Sequence, residues 1–267
     1  MNTWKWQTWQ GKPYLTCSLL EPFPHGFFTQ QFRPDTPREL VRVLDAEATA
    51  YRTQQVHGNT VVRTCDLEPL SSQRTADLQP ADGILTHPEG DSKESVWVCS
   101  ADCTPVLIAD LRRGCVSAIH AGWRGTAANI VPEAIAALRE GGSRQEDLRV
   151  ALGPAISGEV YQVSSEVAVQ VGRSIVSVGD EASEEEVLQQ VSELPESPVL
   201  PDSQPGKVRL DVRQAIRLQL DRLEISPEQI AVSSECTYQQ SDRFFSYRRT
   251  GEKKVQWSGI ASRNATD

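Results

Sequence analysis

The chain has 267 residues, 39% of them hydrophobic, enough for one large domain or two small ones with a sizeable core. Its net charge of −9 is concentrated: Asp180, Glu181, Glu184, Glu185, Glu186, Glu193 and Glu196 lie in one stretch without a Lys or Arg, and the remainder is near neutral, so a nucleic-acid partner is not indicated. No stretch is long and apolar enough to span a membrane, the N-terminus lacks the basic-then-apolar pattern of a signal peptide, and six cysteines without paired spacing favour reduced thiols in a cytoplasm.

Trp4, Trp6 and the run Tyr14–Leu20 read as early strands, with Trp4, Trp6 and Trp9 as edge-strand packing rather than base-stacking groups. Leu40, Val41, Leu44 and Ala48 recur at helical spacing and predict a helix over Arg38–Tyr51. Val56, Thr60 and Val62 alternate and predict a strand over Gln55–Thr64, followed by a polar stretch, Leu67–Gln79. Ser95–Ser100, Pro105–Asp110 and Cys115–His120 are short, apolar, β-branched runs, expected as packed strands of one sheet buried on at least one face. Thr126–Arg139 reads as a helix with Thr126 as N-cap and Pro132 deep enough to distort its first turn. Leu148–Leu152 is a strand closed by Gly153-Pro154, and a helix runs from about Ser164 to Arg173.

Residues 178–207 are rich in Glu, Ser and Pro and poor in apolar positions, and read as a solvated insertion or partly ordered loop that adds little to the core. Asp211 caps a helix through Leu223, Ile230–Ser233 is a strand, and Trp257–Ser262 closes the pattern. Without a repeat or a dividing linker, the expectation is a single domain over residues 1–267 with an acidic insertion at about 178–207.

The chemistry-bearing residues lie in segments that read badly as plain core: Gln55-Val56-His57-Gly58-Asn59, Ser100-Ala101-Asp102-Cys103-Thr104-Pro105 and His120-Ala121-Gly122-Trp123-Arg124-Gly125. Two imidazoles and a thiolate suit zinc, and three protein ligands leave a position open for water or substrate, as in catalytic rather than structural sites. His57, Cys103 and His120 each fall at a strand end, where a sheet can bring distant side chains together. Taken singly, a Cys is usually core packing and a His usually hydrogen-bonds a carbonyl. Cys99 is expected to face the sheet interior rather than to ligate, and Trp123 to form a pocket wall or pack in the core.

Six segments occur in a fixed order: Gln55-Val56-His57-Gly58, Ala81-Asp82-Gly83, Ala101-Asp102-Cys103-Thr104-Pro105-Val106-Leu107, His120-Ala121-Gly122-Trp123-Arg124-Gly125, Leu152-Gly153-Pro154-Ala155-Ile156 and Phe244-Phe245-Ser246-Tyr247-Arg248-Arg249. Together they resemble the YfiH-like "laccase domain" family, once named as multicopper polyphenol oxidases and now regarded as purine nucleoside phosphorylases. The resemblance spans about His25 to Ile260. It implies a mixed α/β fold, with mixed β-sheets packed together and helices outside, and a catalytic zinc on His57, Cys103 and His120. It also implies purine nucleosides and phosphate as substrates, with adenosine deamination and methylthioadenosine cleavage as further activities. The chain departs from the family at His25-Gly26-Phe27-Phe28-Thr29-Gln30, where an Arg is missing and Phe32-Arg33-Pro34-Asp35 replaces the usual following loop. Cys236-Thr237-Tyr238 is followed by Gln239 rather than the second Cys.

Arg124, Arg248 and Arg249 are candidate phosphate contacts, because guanidinium is a fixed bidentate donor, with surface ion pairs as the plainer reading. Asp102 is a catalytic candidate that could orient a ligand His or handle a proton, or make a structural hydrogen bond. Deamination would call for a Glu proton shuttle, and the sequence singles none out. Other readings are a copper-dependent phenol oxidase, since copper also fits the donors, and a hydrolase or peptidoglycan-editing factor with Cys103 as nucleophile. Four histidines are too few for a multicopper centre. A homo-oligomer is compatible with the sequence.

Overall fold

The computed structural model describes residues 3–71, 78–86, 92–179 and 181–263. Its strands are β1 (Trp4–Trp9), β2 (Lys12–Cys17), β3 (His25–Phe28), β4 (Thr49–Arg52), β5 (Val61–Arg63), β6 (Gly83–Leu85), β7 (Glu94–Ser100), β8 (Thr104–Asp110), β9 (Val116–Ala121), β10 (Leu148–Leu152), β11 (Gln162–Ser164), β12 (Val199–Pro201), β13 (Lys207–Leu210), β14 (Ile230–Val232) and β15 (Gln256–Ala261). The helices are α1 (Pro37–Leu44), α2 (Trp123–Ala127), α3 (Ile130–Glu140), α4 (Ser165–Arg173), α5 (Glu184–Ser192), α6 (Val212–Arg222) and α7 (Tyr247–Thr250).

Two six-stranded sheets form the centre, in the orders β1-β2-β3-β15-β7-β4 and β14-β10-β8-β9-β6-β5. Both are mixed: β4 runs parallel to β7, β5 to β6 and β14 to β10, while the other neighbours are antiparallel. Strand alternation sorts the side chains into layers. Phe27, Val96, Val98 and Ile260 from the first sheet meet Ile84, Leu107, Ala109, Val116 and Ala118 from the second between the two sheets. Val106, Ile108, Ile119, Val150 and Leu152 point from the second sheet's other face onto α3, α4, α5 and α6. Phe28, Trp97 and Trp257 leave the first sheet's outer face to pack with Leu40 and Val41 of α1. This is the expected mixed α/β arrangement of packed sheets with helices outside. The runs Ser95–Ser100, Pro105–Asp110 and Cys115–His120 do not share one sheet as expected: β7 lies in the first sheet and β8 and β9 in the second, because the chain crosses from one sheet to the other at Ala101–Cys103. Both β8 and β9 are buried throughout.

Several boundaries differ from expectation. Tyr14–Leu20 divides into β2 and a short 3-10 turn at Ser18–Leu20. The helix expected over Arg38–Tyr51 ends at Leu44. Asp45 is extended, and Thr49–Arg52 instead pairs in parallel with Glu94–Trp97. The unread start signal was Pro37 at the first helical position with the Glu39 carboxylate accepting from the Thr36 N–H at 2.8 Å. Of the strand expected over Gln55–Thr64, only Val61–Arg63 forms. The residues before it curl around a buried carboxylate, with His57 left-handed at φ 62. The helix expected over Thr126–Arg139 is broken at Asn129, φ 62, and Thr126 lies inside α2 rather than capping it. Pro132 thereby falls in the first turn of α3, where its missing N–H has no intrahelical bond to lose.

The insertion expected at 178–207 as solvated loop carries α5, β12 and the start of β13, part of a third sheet ordered β11-β13-β12. Ser183 caps α5 by accepting from the Glu186 N–H at 3.2 Å, and Val187 and Val191 are fully buried. Val187 and Val191, four apart and joined by the partly buried Leu188, seat a helix whose first turn is acidic. Asp180 of the acidic run, and residues 72–77 of the polar stretch Leu67–Gln79, lie outside the described residues. The helices expected to begin at Ser164 and at Asp211 form, the second with the Asp211 side chain accepting from the Gln214 N–H at 3.1 Å.

Candidate metal centre

Two connections pass from the first large sheet to the second: residues 53–60 between β4 and β5, and Ala101–Cys103 between β7 and β8. His57 lies on one and Cys103 on the other, while His120 lies near the end of β9. Their ligand atoms all fall within 4.8 Å of one another, and among the described residues this is the one His/Cys/Asp/Glu cluster of three or more able to hold a metal. The two imidazoles stand edge to face, centroids 4.8 Å apart. Exposure grades from open at His57 to 3% at His120, so the cluster opens to solvent on the His57 side.

The buried carboxylate of Asp82, which sequence reasoning left without a role, organises two of the three candidate ligands. Its oxygens accept the backbone N–H groups of Val56 (3.0 Å), His57 (3.0 Å) and Gly58 (2.8 Å), which fixes the left-handed turn. Oδ1 also lies 2.8 Å from Nδ1 of His120, leaving the other ring nitrogen for the cluster. Ala81-Asp82-Gly83 stood in the sequence as a motif, but an Asp before a Gly is also an ordinary turn. Gln55 ties the same connection to β7: its amide donates to the Cys99 carbonyl at 2.7 Å and accepts the Cys99 N–H at 2.8 Å. Gly122 must lack a side chain, because a Cβ there would sit 2.9 Å from Cys103 Sγ and 3.4 Å from the His57 ring.

Burial by itself raises the Cys103 thiol, but the imidazoles of His120 and His57 outweigh it and bring it down to about 6. Burial likewise opposes protonation of His120, and the negative charges of Cys103 and Asp82 override it. Cys103 is therefore poised as a thiolate, the form that ligates a soft or borderline metal. Cys99 lies outside the cluster, its thiol pushed up to about 11, first by burial. The donor set, the aligned ring of His120 and the cleared space at Gly122 fit a bound metal. His25 is a structural residue, accepting the Cys17 N–H at 2.8 Å and facing the Phe23 carbonyl at 2.8 Å.

The other predicted residues gather around Asp102. Its carboxylate accepts from the Thr237 hydroxyl and from the Arg248 backbone N–H, both at 2.7 Å, so it orients the Phe244–Arg249 segment, and Asp82 is the carboxylate that meets His120. Asp102 holds a φ of 102, a conformation rare outside Gly, which these bonds support. Arg249 donates to the carbonyls of Thr237, Tyr238 and Phe244, clasping that loop. Arg248 and Arg124 are exposed, and each lies over an aromatic ring: Arg248 over Tyr161 at 4.8 Å and Arg124 over Trp123 at 4.4 Å. Trp123 is partly buried against the helical core. Tyr161 was not singled out from sequence. Burial first, then the charges of Cys103 and Asp102, push its phenol up to about 12 against Arg248 and Arg124.

Residues 35–262 match the family model described as "Multi-copper polyphenol oxidoreductase laccase". The chain belongs to this laccase-domain family. Among relatives with this domain, it is 51% identical over 263 residues to the purine nucleoside phosphorylase slr1573 of Synechocystis sp., covering 98% of both chains. It is 26% identical over 230 residues to the adenosine deaminase RL5 of an unknown prokaryotic organism, covering 80% of this chain and 79% of that one. The laccase-domain fold superposes on the crystal structure of YlmD from Geobacillus stearothermophilus with a TM-score of 0.77, at 23% identity over 97% of this chain and 98% of that one. No helix among the described residues is long and apolar enough to cross a membrane.

Proposed function

We propose that the chain is a zinc-dependent purine nucleoside phosphorylase of the cytoplasm, converting adenosine, inosine or guanosine and phosphate to free base and ribose 1-phosphate. The observation that carries this reading is the 51% identity, along nearly the whole of both chains, to a relative named for that activity. His57, Cys103 and His120 are the residues to hold the zinc, and their mixed nitrogen and thiolate donors support that metal. When bound, zinc supplies a Lewis acid beside the substrate.

The rest of the chemistry belongs to the chain. Phosphate must be held near the anomeric carbon with its charge compensated. Arg248 and Arg124 are the exposed guanidiniums beside the cluster suited to that task. Arg249 and Asp102 act as positioning residues, one clasping and one orienting the loop that carries Arg248. In the reaction a phosphate oxygen bonds to C1′ of the ribose as the C1′–N9 bond breaks. The electron pair of that bond leaves with the base, which takes up a proton. Adenosine deamination is a second reading, favoured by the similarity to RL5, and methylthioadenosine would enter the phosphorolytic reaction in the same way.

Incubating metal-defined protein with adenosine and with inosine, with and without phosphate, tests both. Ribose 1-phosphate formed only with phosphate is the expected result. Free ribose at the same rate without phosphate would indicate hydrolysis, and inosine accumulating from adenosine would indicate deamination. Full activity in zinc-free protein would favour Cys103 as a nucleophile, and with it the hydrolase or peptidoglycan-editing reading.

A further inference from the structure

Arg248 is held from three directions. Its backbone N–H donates to Asp102, the neighbour of Cys103, at 2.7 Å. Its Nη1 donates to the Gln162 carbonyl at 2.6 Å. Its Cζ lies over the Tyr161 ring, 4.8 Å from the ring centre. Among the described residues its Nε and Nη2 have no protein hydrogen-bond partner, in contrast to Arg249, whose two Nη groups serve three carbonyls. A guanidinium resting on a ring and tied through one nitrogen has little freedom left, which favours a fixed direction for its remaining donors and bidentate recognition of an oxyanion.

Tyr161 is itself held by backbone. Its N–H donates to the Ser157 carbonyl at 3.1 Å, and its carbonyl accepts from the Leu210 N–H at 3.0 Å, at the end of β13. The ring thus stands at the edge of the small third sheet, facing the cluster side of the molecule, where Cys103, Asp102, Arg248 and Arg124 all act on it. The neutral phenol adds no negative charge that would repel an anion there.

We propose that Tyr161 and Arg248 form a cation–π clamp for the oxyanion substrate beside the metal cluster, with the Tyr161 ring as the positioning element and the free donors of Arg248 as the binding element. This rests on the phosphorolysis reading above. The third sheet is then a wall of the site.

The test is titration calorimetry of zinc-loaded protein with inorganic phosphate, together with steady-state kinetics, for wild type, Tyr161→Phe, Tyr161→Leu and Arg248→Ala. Tyr161→Leu keeps an apolar side chain of fair size but removes the aromatic face. It should weaken phosphate binding roughly threefold to thirtyfold and raise the phosphate KM in step, with zinc content, nucleoside KM and kcat near wild type. Tyr161→Phe should restore wild-type binding, and Arg248→Ala should weaken it at least as much as Tyr161→Leu. Wild-type phosphate affinity in Tyr161→Leu would overturn the clamp and leave phosphorolysis standing. An equal loss in Tyr161→Phe would overturn it too, since the hydroxyl and not the ring would then be responsible. A wild-type protein that binds no phosphate would remove both the clamp and the phosphorolysis reading. A fall in zinc content or in cooperativity of melting in both Tyr161 variants would make Tyr161 a packing residue and reject the clamp.

Discussion

A single carboxylate organises the metal cluster. Asp82 collects three successive backbone N–H groups and the Nδ1 side of His120, so one buried charge fixes the turn that presents His57 and the ring that presents His120. Burial raises its pKa, but the bonds to His120, Gly58 and Val56 hold it below the usual carboxylate range. Replacing Asp82 with Ala should weaken zinc binding roughly 10- to 100-fold, the usual cost of losing a group that orients a ligand, measured by competition with a chromogenic chelator. The Cys103 thiol gives a second expectation. Because its pKa is lowered to about 6, the thiolate of metal-free protein should persist as pH falls towards that value, whereas an ordinary thiol is already protonated. An ultraviolet thiolate titration should show a step near there, absent in Cys103→Ser and moved upward in His120→Ala. Cys17, Cys99 and Cys115, all raised by burial, contribute only at alkaline pH.

Among the elements, α5 departs most from expectation. Its charge pattern is that of solvated chain, yet Ser183 and Glu186 close a capping box and Val187 and Val191 bury fully. They seat on Gly172 of α4, where a Cβ would come within 2.8 Å of Val191 Cγ2 and 3.0 Å of Val187 Cγ1. The helices therefore approach more closely than any larger residue at 172 would allow. Val187→Ala should cost about 1–3 kcal/mol of stability through the cavity it leaves, read from denaturant unfolding. Shortening the segment through α5 should likewise lower the melting temperature, contrary to what a passive loop would do. An unchanged melting curve would mean that the acidic segment carries no structural load.

At the scale of the whole molecule, the cluster sits where the two large sheets are stitched together. His57 and Cys103 each occupy a crossover from one sheet to the other, and His120 belongs to the second sheet. A metal bound there would add a further link between segments that the Asp82 hydrogen bonds and the β8–β9 pairing already hold together. Ligand binding to the folded state stabilises it by about 3 kcal/mol at a hundredfold excess over Kd. Zinc removal should accordingly lower Tm by several degrees in scanning calorimetry. Adding zinc to Cys103→Ala should restore little of that shift.

The family resemblance carried the layered α/β class, while local pattern marked the central runs as strands, the helices begun by Ser164 and Asp211, and the three donor side chains of the cluster. These were legible because period, caps and residue chemistry are local properties. The extents of the 38–51 helix and the 55–64 strand were not, since Thr49–Arg52 forms a strand by pairing with β7 and the 53–60 connection bends around Asp82. Nor were the roles of Asp82 and Tyr161, because each acts on residues remote in sequence: Asp82 on His57 and His120, and Tyr161 on Arg248. Tertiary structure decided these points, because a buried carboxylate's partners and an aromatic ring's neighbours are chosen by which sheet edges and crossovers meet, and chain-local patterning carries no record of that meeting.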